Sequence, residues 1–310
     1  AQPVKDGRIV KEEIDNARPA GMQGFIYNIR RDVFKDRAVR EALSYAFDFE
    51  WSNKQFAYGT YTRTDSYFEN SELASSGLPE GKELELLERF RGKIPDEVFT
   101  KTYAPPVSDG SGNARANLRK ATGLLNEAGW VLETDGVLAK DGAKLEFEIL
   151  DANPMFERWV LPFIKNLERI GVKANFRVVD SAQYQNRMNA FDFDMTISGF
   201  GQSSSPGNEQ RDFWGSEKAA IEGSRNYIGI QDPVIDQLIE ELIQTSSRED
   251  LVAHVRAMDR ILLWNHYVIP MWHYPKWRIA RWTHIERPDP LSDISPLISD
   301  TWWAKRKGAQ

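Results

Sequence analysis

The sequence predicts an α/β fold organised on a mixed sheet with flanking helices. Three observations in one stretch carry this. Residues 145–150 alternate apolar and charged side chains, the period of a strand. Asn153 and Pro154 then supply an N-cap and a first-turn proline, and Phe156, Trp159, Val160, Phe163, Ile164 and Leu167 fall on one helical face. After Gly171, the expected stop, residues 173–179 and 193–197 form two more strands, separated by a helix that Ser181 would cap. This βαβαβ order favours parallel strands joined by right-handed crossovers. Ligands in such sheets collect at the carboxyl ends of the strands, where the loops 151–155 and 199–210 lie.

The remaining elements follow in order. Residues 22–29 alternate as a strand. Asp36 would cap a helix running to about residue 50, with Val39, Leu43, Ala46 and Phe47 inward. Residues 51–76 are aromatic and polar without a period, which predicts a long, partly helical loop region; its aromatics argue against disorder. A short helix is expected at 83–90 and an irregular stretch around Pro105, Pro106, Gly110 and Gly112. A helix follows at 113–128, with Leu118, Ala121, Leu124 and Leu125 inward. The turns at 134–136 and 140–142 mark a hairpin within 130–144. Asp232-Pro233 opens a helix, and Ser247 with Asp250 forms a capping box for the next. Residues 267–282 are strand-like and aromatic. The last residues read as loop, with Pro288, Pro290 and Pro296.

Composition narrows the function. At 310 residues, with 41% apolar and 12% aromatic side chains, the chain has material for a full core and about two domains. Ten tryptophans serve packing, or offer stacking surfaces to a large ligand. A net charge of −6, with a basic run only at 305–307, argues against nucleic acid as a partner. The absence of cysteine rules out disulfides and suits an oxidising compartment. Residues 1–21 read as a connector.

Catalytic chemistry finds little footing. The spacings of His254, His266, His273 and His284 match no metal-ligand pair, so neither a metal nor a cofactor is expected. The carboxylate pairs at 12–13 and 240–241 have solvated surroundings and make poor acid–base candidates. Ser203, Ser204 and Ser205 lack a neighbouring base, so a serine hydrolase is the weaker alternative and no enzyme is expected. The Ser/Gly/Gln loop after the third strand suits hydrogen bonding to peptide or sugar groups, and equally suits a plain surface turn.

Three runs carry a family resemblance. VFKDRAVREALSYAFDFE, ATGLLNEAGW and VIPMWHYPKWRIARW are similar to elements of the bacterial extracellular solute-binding proteins, family 5, which serve peptide ABC transporters. The first run resembles that family's signature at Phe34, Asp36, Arg37, Val39, Arg40, Ala42, Leu43, Ala46 and Asp48. The tracts 62–88 and 202–216 resemble its YejA-type subgroup. The resemblance implies a lobe of the periplasmic-binding-protein type II fold. Residues 1–24 would be a linker from a first lobe, 25–270 the second, ligand-binding lobe, and 271–310 a return segment packing on the first lobe. Family members are longer, and this chain matches their C-terminal half, so an N-terminal half of the same protein is an expected partner. The implied role is capture of peptides in the periplasm for an inner-membrane ABC permease. Glycan- or nickel-binding members of the same family remain alternatives.

The resemblance also places the site. In the family the loop after the third strand reads W-x-x-D-Y-x-D/E-P, and its aspartate pairs with the ligand's α-ammonium. Here Phe200, Gly201, Gln202, Ser203, Ser204 and Ser205 take that position, with Phe200 for the stacking tryptophan and Ser203 for the aspartate; the loop is one residue shorter. A buried ammonium without a countercharge costs about 3–5 kcal/mol, so an N-terminally blocked or modified peptide is the expected ligand. Trp272, His273 and Tyr274 would contribute from the return strand and Asn153 from the neighbouring strand end. Tyr61, Arg63, Phe68 and Asn70 are weaker candidates.

Overall fold

The computed structural model describes residues 2–16, 18–291 and 301–305. Part of the expected return segment, including Pro296, lies outside the described residues. The central sheet has five strands: β1 (Met22–Tyr27), β2 (Glu146–Asp151), β3 (Lys173–Val178), β4 (Met195–Phe200) and β5 (Val268–Pro270). Their order is β5-β1-β4-β2-β3. β2 runs parallel to β3 and to β4, as the βαβαβ reading requires. β1 is antiparallel to both β4 and β5, which makes the sheet mixed.

Strand periodicity divides the core into two layers. Phe25 and Tyr27 of β1 point into one layer, Met22 and Ile26 into the other. The first layer is filled from α1 (Arg37–Ser44), α2 (Phe49–Ala57), α3 (Arg115–Glu127) and α4 (Glu157–Glu168). α5 (Ser181–Asn189) packs Met188 into a smaller cluster with Leu150 and Phe193. The second large layer is filled from α6 (Glu209–Trp214), α7 (Pro233–Ile243) and α8 (Arg248–Trp264). β1 lies so close to its neighbours that glycine is required twice. A Cβ on Gly21, at φ +68°, would sit 2.3 Å from Phe200 O, and one on Gly24 2.2 Å from Ile269 O.

Two expected boundaries are corrected. The helix capped by Asp36 ends at Ser44, because Asp48 accepts Trp51 N–H at 3.1 Å and starts α2 afresh. Asp180, one residue before Ser181, caps α5 by accepting Ala182 and Gln183 N–H. α2 takes the first part of the predicted loop region 51–76; the rest of it belongs to an ordered segment, 58–80, that runs on to the next helix.

Outside the sheet, Ile9–Asp15 pairs antiparallel with Lys276–Trp282 over seven residues, from Ile9 opposite Trp282 to Asp15 opposite Lys276. Glu12 anchors this ribbon by ion pairs to Arg281 and Arg287. The short strands Thr62–Arg63 and Trp272–His273 also pair, and tie the 58–80 segment beside the point where the chain leaves β5.

Candidate functional site

The loop after β4 rests on an aromatic foundation. Phe200 is 1% exposed, its ring 4.4 Å from that of Trp214 and 5.6 Å from that of Phe213. This corrects its expected role: it is a core residue that fixes the loop from below, and no ring face is left for a ligand. Gly201, Ser203, Ser204 and Ser205 are exposed. Ser203 Oγ accepts Ser205 N–H at 3.2 Å, and Ser204 O accepts from Arg248. Gln202 Oε1 accepts from the buried Gln210 at 2.7 Å.

A groove of about 630 Å³ runs beside this loop, lined by Ser204, Asn70, Glu72, Arg248, Asn16 and Pro275 among others. It opens between the loop after β4, the end of the 58–80 segment and the base of the ribbon. Two carboxylates reach it. Glu72 Oε1 accepts both Nε and Nη2 of Arg248, and Asp15 is 93% exposed at the rim. Glu209, just beyond the loop, is exposed and accepts Gly207 N–H at 2.9 Å.

An aromatic shelf lies where the chain returns from β5. Trp272 stacks on Tyr61 at 5.2 Å and meets Trp159 at 3.9 Å. His273 Nδ1 lies 3.3 Å from Thr64 Oγ1; burial holds this imidazole below its ordinary pKa, against the opposing charge of Asp65. Tyr274 Oη donates to Glu13 at 2.9 Å and accepts from Arg278, so it belongs to the ribbon. Pro275, its neighbour, reaches the groove.

Asn153 is exposed and its hydrogen bonds stay within its own turn: it accepts from Met155 N–H and its own N–H donates to Asp151. Asp151 beneath it is 5% exposed and pushed up by burial, against the N–H groups of Asn153 and Ala152. The structure thus brings Ser204, Asn70 and Pro275 to one groove, sets Trp272 and His273 on an adjoining shelf, and leaves Asn153 at a separate strand end.

Sequence reasoning missed Gln210, Arg248 and Asp259. Arg248 and Asp259 sit on one helix yet act on segments about 45 to 190 residues away in the chain, a relation that local patterns do not carry. The Gln210–Trp214 spacing of one helical turn was the available signal for Gln210.

The family model described as bacterial extracellular solute-binding proteins, family 5 Middle, matches residues 2–221. The chain belongs to this family. Among its relatives, the probable peptide-binding protein YejA of Agrobacterium fabrum is 44% identical over 308 residues, which is 98% of this chain and 50% of the relative. The peptidoglycan-binding protein YepA of the same organism is 42% identical over 304 residues, 98% of this chain and 49% of that one. The family 5 chain therefore spans about half the length of the curated relatives it matches.

Solved structures agree on the fold. The oligopeptide-binding protein AppA from Bacillus subtilis, in complex with a nonapeptide, superposes with a TM-score of 0.69 at 20% identity, over 99% of this chain and 55% of that one. NikA from Brucella suis, in complex with Fe(III)-EDTA, superposes with a TM-score of 0.67 at 17% identity, over 98% and 54%. The fold is the type II periplasmic-binding-protein architecture of this family, a mixed sheet with flanking helices.

Proposed function

We propose that this family 5 chain provides one wall of the cleft in a periplasmic peptide-binding protein, and that its ligands are peptides whose α-amino group is acylated. A second lobe, continuous with the ribbon formed by Ile9–Asp15 and Lys276–Trp282, would complete the cleft; residues 1–24 and 271–310 would serve as its connections. Closure would be a hinge motion that the bound peptide stabilises, followed by delivery to an ABC permease.

One observation carries the reading: no residue of the rim at Gly201–Ser205 is itself a carboxylate. Ser203 stands in the loop, Glu72 is held by Arg248, Glu209 lies beyond the loop and accepts Gly207 N–H, and Asp15 is solvated. An ammonium docked here would lose its hydration without gaining a countercharge from the loop itself, at a cost of about 3–5 kcal/mol. A blocked amine avoids that cost. The relative named as peptidoglycan-binding fits this chemistry, since peptidoglycan stem peptides are amide-linked at their N-termini to the sugar's lactyl group. We favour such cell-wall-derived peptides as the ligand class.

Two alternatives draw less support. No group of three His, Asp or Glu side chains suited to a metal occurs among the described residues. Among these residues, too, no histidine or carboxylate hydrogen-bonds Ser203, Ser204 or Ser205, which leaves a hydrolase without its base. Isothermal titration with a peptide bearing a free amine and with its formylated twin tests the proposal. Tenfold or greater preference for the formylated form is expected, and equal or better binding of the free amine overturns it.

A further inference from the structure

We propose that Gln202 is a specificity-determining residue, whose side-chain N–H group donates to the carbonyl of the acyl cap on the ligand. This rests on the preceding reading and gives it a recognising atom.

The direction of a hydrogen-bond chain carries the inference. An indole N–H can only donate. Trp214 Nε1 donates to Gln210 Oε1 at 2.8 Å, which fixes the orientation of the Gln210 amide. Gln210, fully buried, must then present its nitrogen on the other side. That nitrogen donates to Gln202 Oε1 at 2.7 Å and reaches Glu209 Oε1 at 3.3 Å. The Gln202 amide is fixed in turn, with its oxygen used and its nitrogen remaining. Gln202 Nε2 is buried and has no acceptor among the described residues.

An unsatisfied buried donor is unfavourable, so a matching acceptor is what this position lacks. A carbonyl oxygen provides one, whereas an ammonium, itself only a donor, opposes it. The neighbouring Gly201 is exposed, and a Cβ built on it would meet no atom within 4 Å, so the donor lies one residue from the open rim. The loop therefore holds no carboxylate of its own and also presents the opposite hydrogen-bonding sense to the one an amine needs. Trp214, from inside the core, sets that sense.

The test titrates wild type, Gln202→Glu and Gln202→Leu with an N-acetylated tripeptide and its free-amine twin, with melting curves as a folding control. Wild type is expected to prefer the acetylated peptide tenfold or more. Gln202→Glu replaces the donor by an acceptor and should bring the ratio to parity or below; Gln202→Leu should abolish most of the preference. If both folded variants keep the wild-type ratio, the role of Gln202 is overturned while the blocked-amine reading stands. If wild type binds the free amine equally well, or binds neither peptide, both readings fall. A measurement without variants runs beside it. The Gln202 side-chain NH₂ resonance should shift on adding the acetylated peptide and stay in place with the free amine, and a resonance unmoved by the acetylated peptide overturns the contact.

Discussion

Asp259 Oδ1 accepts the backbone N–H of Tyr67 at 2.7 Å, joining positions 192 residues apart. The same carboxylate accepts Ser66 Oγ at 2.8 Å and both the N–H and the hydroxyl of Ser75. It is fully buried, and burial pushes it up to about 6 against these four donors. The next residue, Arg260, holds Ser76 O and Gly77 O and pairs with the buried Glu83. One turn of α8 thus pins the loop that forms a wall of the groove.

Asp259→Ala should lower stability by about 3–5 kcal/mol in urea unfolding, because two buried backbone donors and two hydroxyls lose their acceptor together. Asp259→Asn keeps one acceptor oxygen and should cost clearly less. Equal losses for the two variants would contradict this account of the loop.

That hub shows where sequence reading stops. The βαβαβ core was legible because its first strand alternates, its first helix carries Asn153-Pro154 at its start, and Gly171 closes that helix. Residues 58–80 have no period of their own; their order comes from Asp259 and Arg260, which a local window cannot reach. The position of the candidate loop after β4 was legible. The burial of Phe200 was not, because it follows from Phe213 and Trp214 meeting it in three dimensions.

Two buried arginines should respond oppositely to substitution. Arg40 donates to Phe34 O, Lys35 O and Asn265 O, so Arg40→Met orphans carbonyls and should cost about 3 kcal/mol. Arg63 lies between the rings of Phe47 and Phe49, with all three guanidinium nitrogens buried and without an acceptor among the described residues, and burial pushes it down to about 10. Arg63→Met should leave stability unchanged or raise it by about 1–2 kcal/mol. Chemical denaturation checks the pair, and a large loss at Arg63 would contradict the geometry.

His266 should make the fold acid-sensitive. Burial first, then Arg37 and Arg40, push its imidazole down to about 3. Glu41 Oε2 lies 3.8 Å from Nε2, beyond hydrogen-bond range. The unfolded chain, with a histidine pKa near 6.5, then binds the proton more tightly. The contribution is present in full above that value and is lost as pH falls towards 3, about 2 kcal/mol of it by pH 5. His266→Asn tolerates the positive φ of 52° and should reduce the fall in melting temperature between pH 7 and pH 5. An identical fall in both proteins would refute the assignment.

Phe200 and Ser203 separate support from recognition. Phe200→Ala empties a core position and should cost about 3–5 kcal/mol of stability. Ser203→Asp leaves the core untouched and supplies the missing charge, so free-amine peptides should gain affinity while the melting temperature holds. A binding ratio unmoved by Ser203→Asp would separate this loop from the ligand's N-terminus.

The most direct test is native mass spectrometry of the protein isolated from cells with its ligand still bound. The expected result is a mass, fragmented in the same instrument, belonging to a peptide acylated at its amino end. Carried peptides with free amino termini, a sugar without peptide, or a metal complex would contradict it.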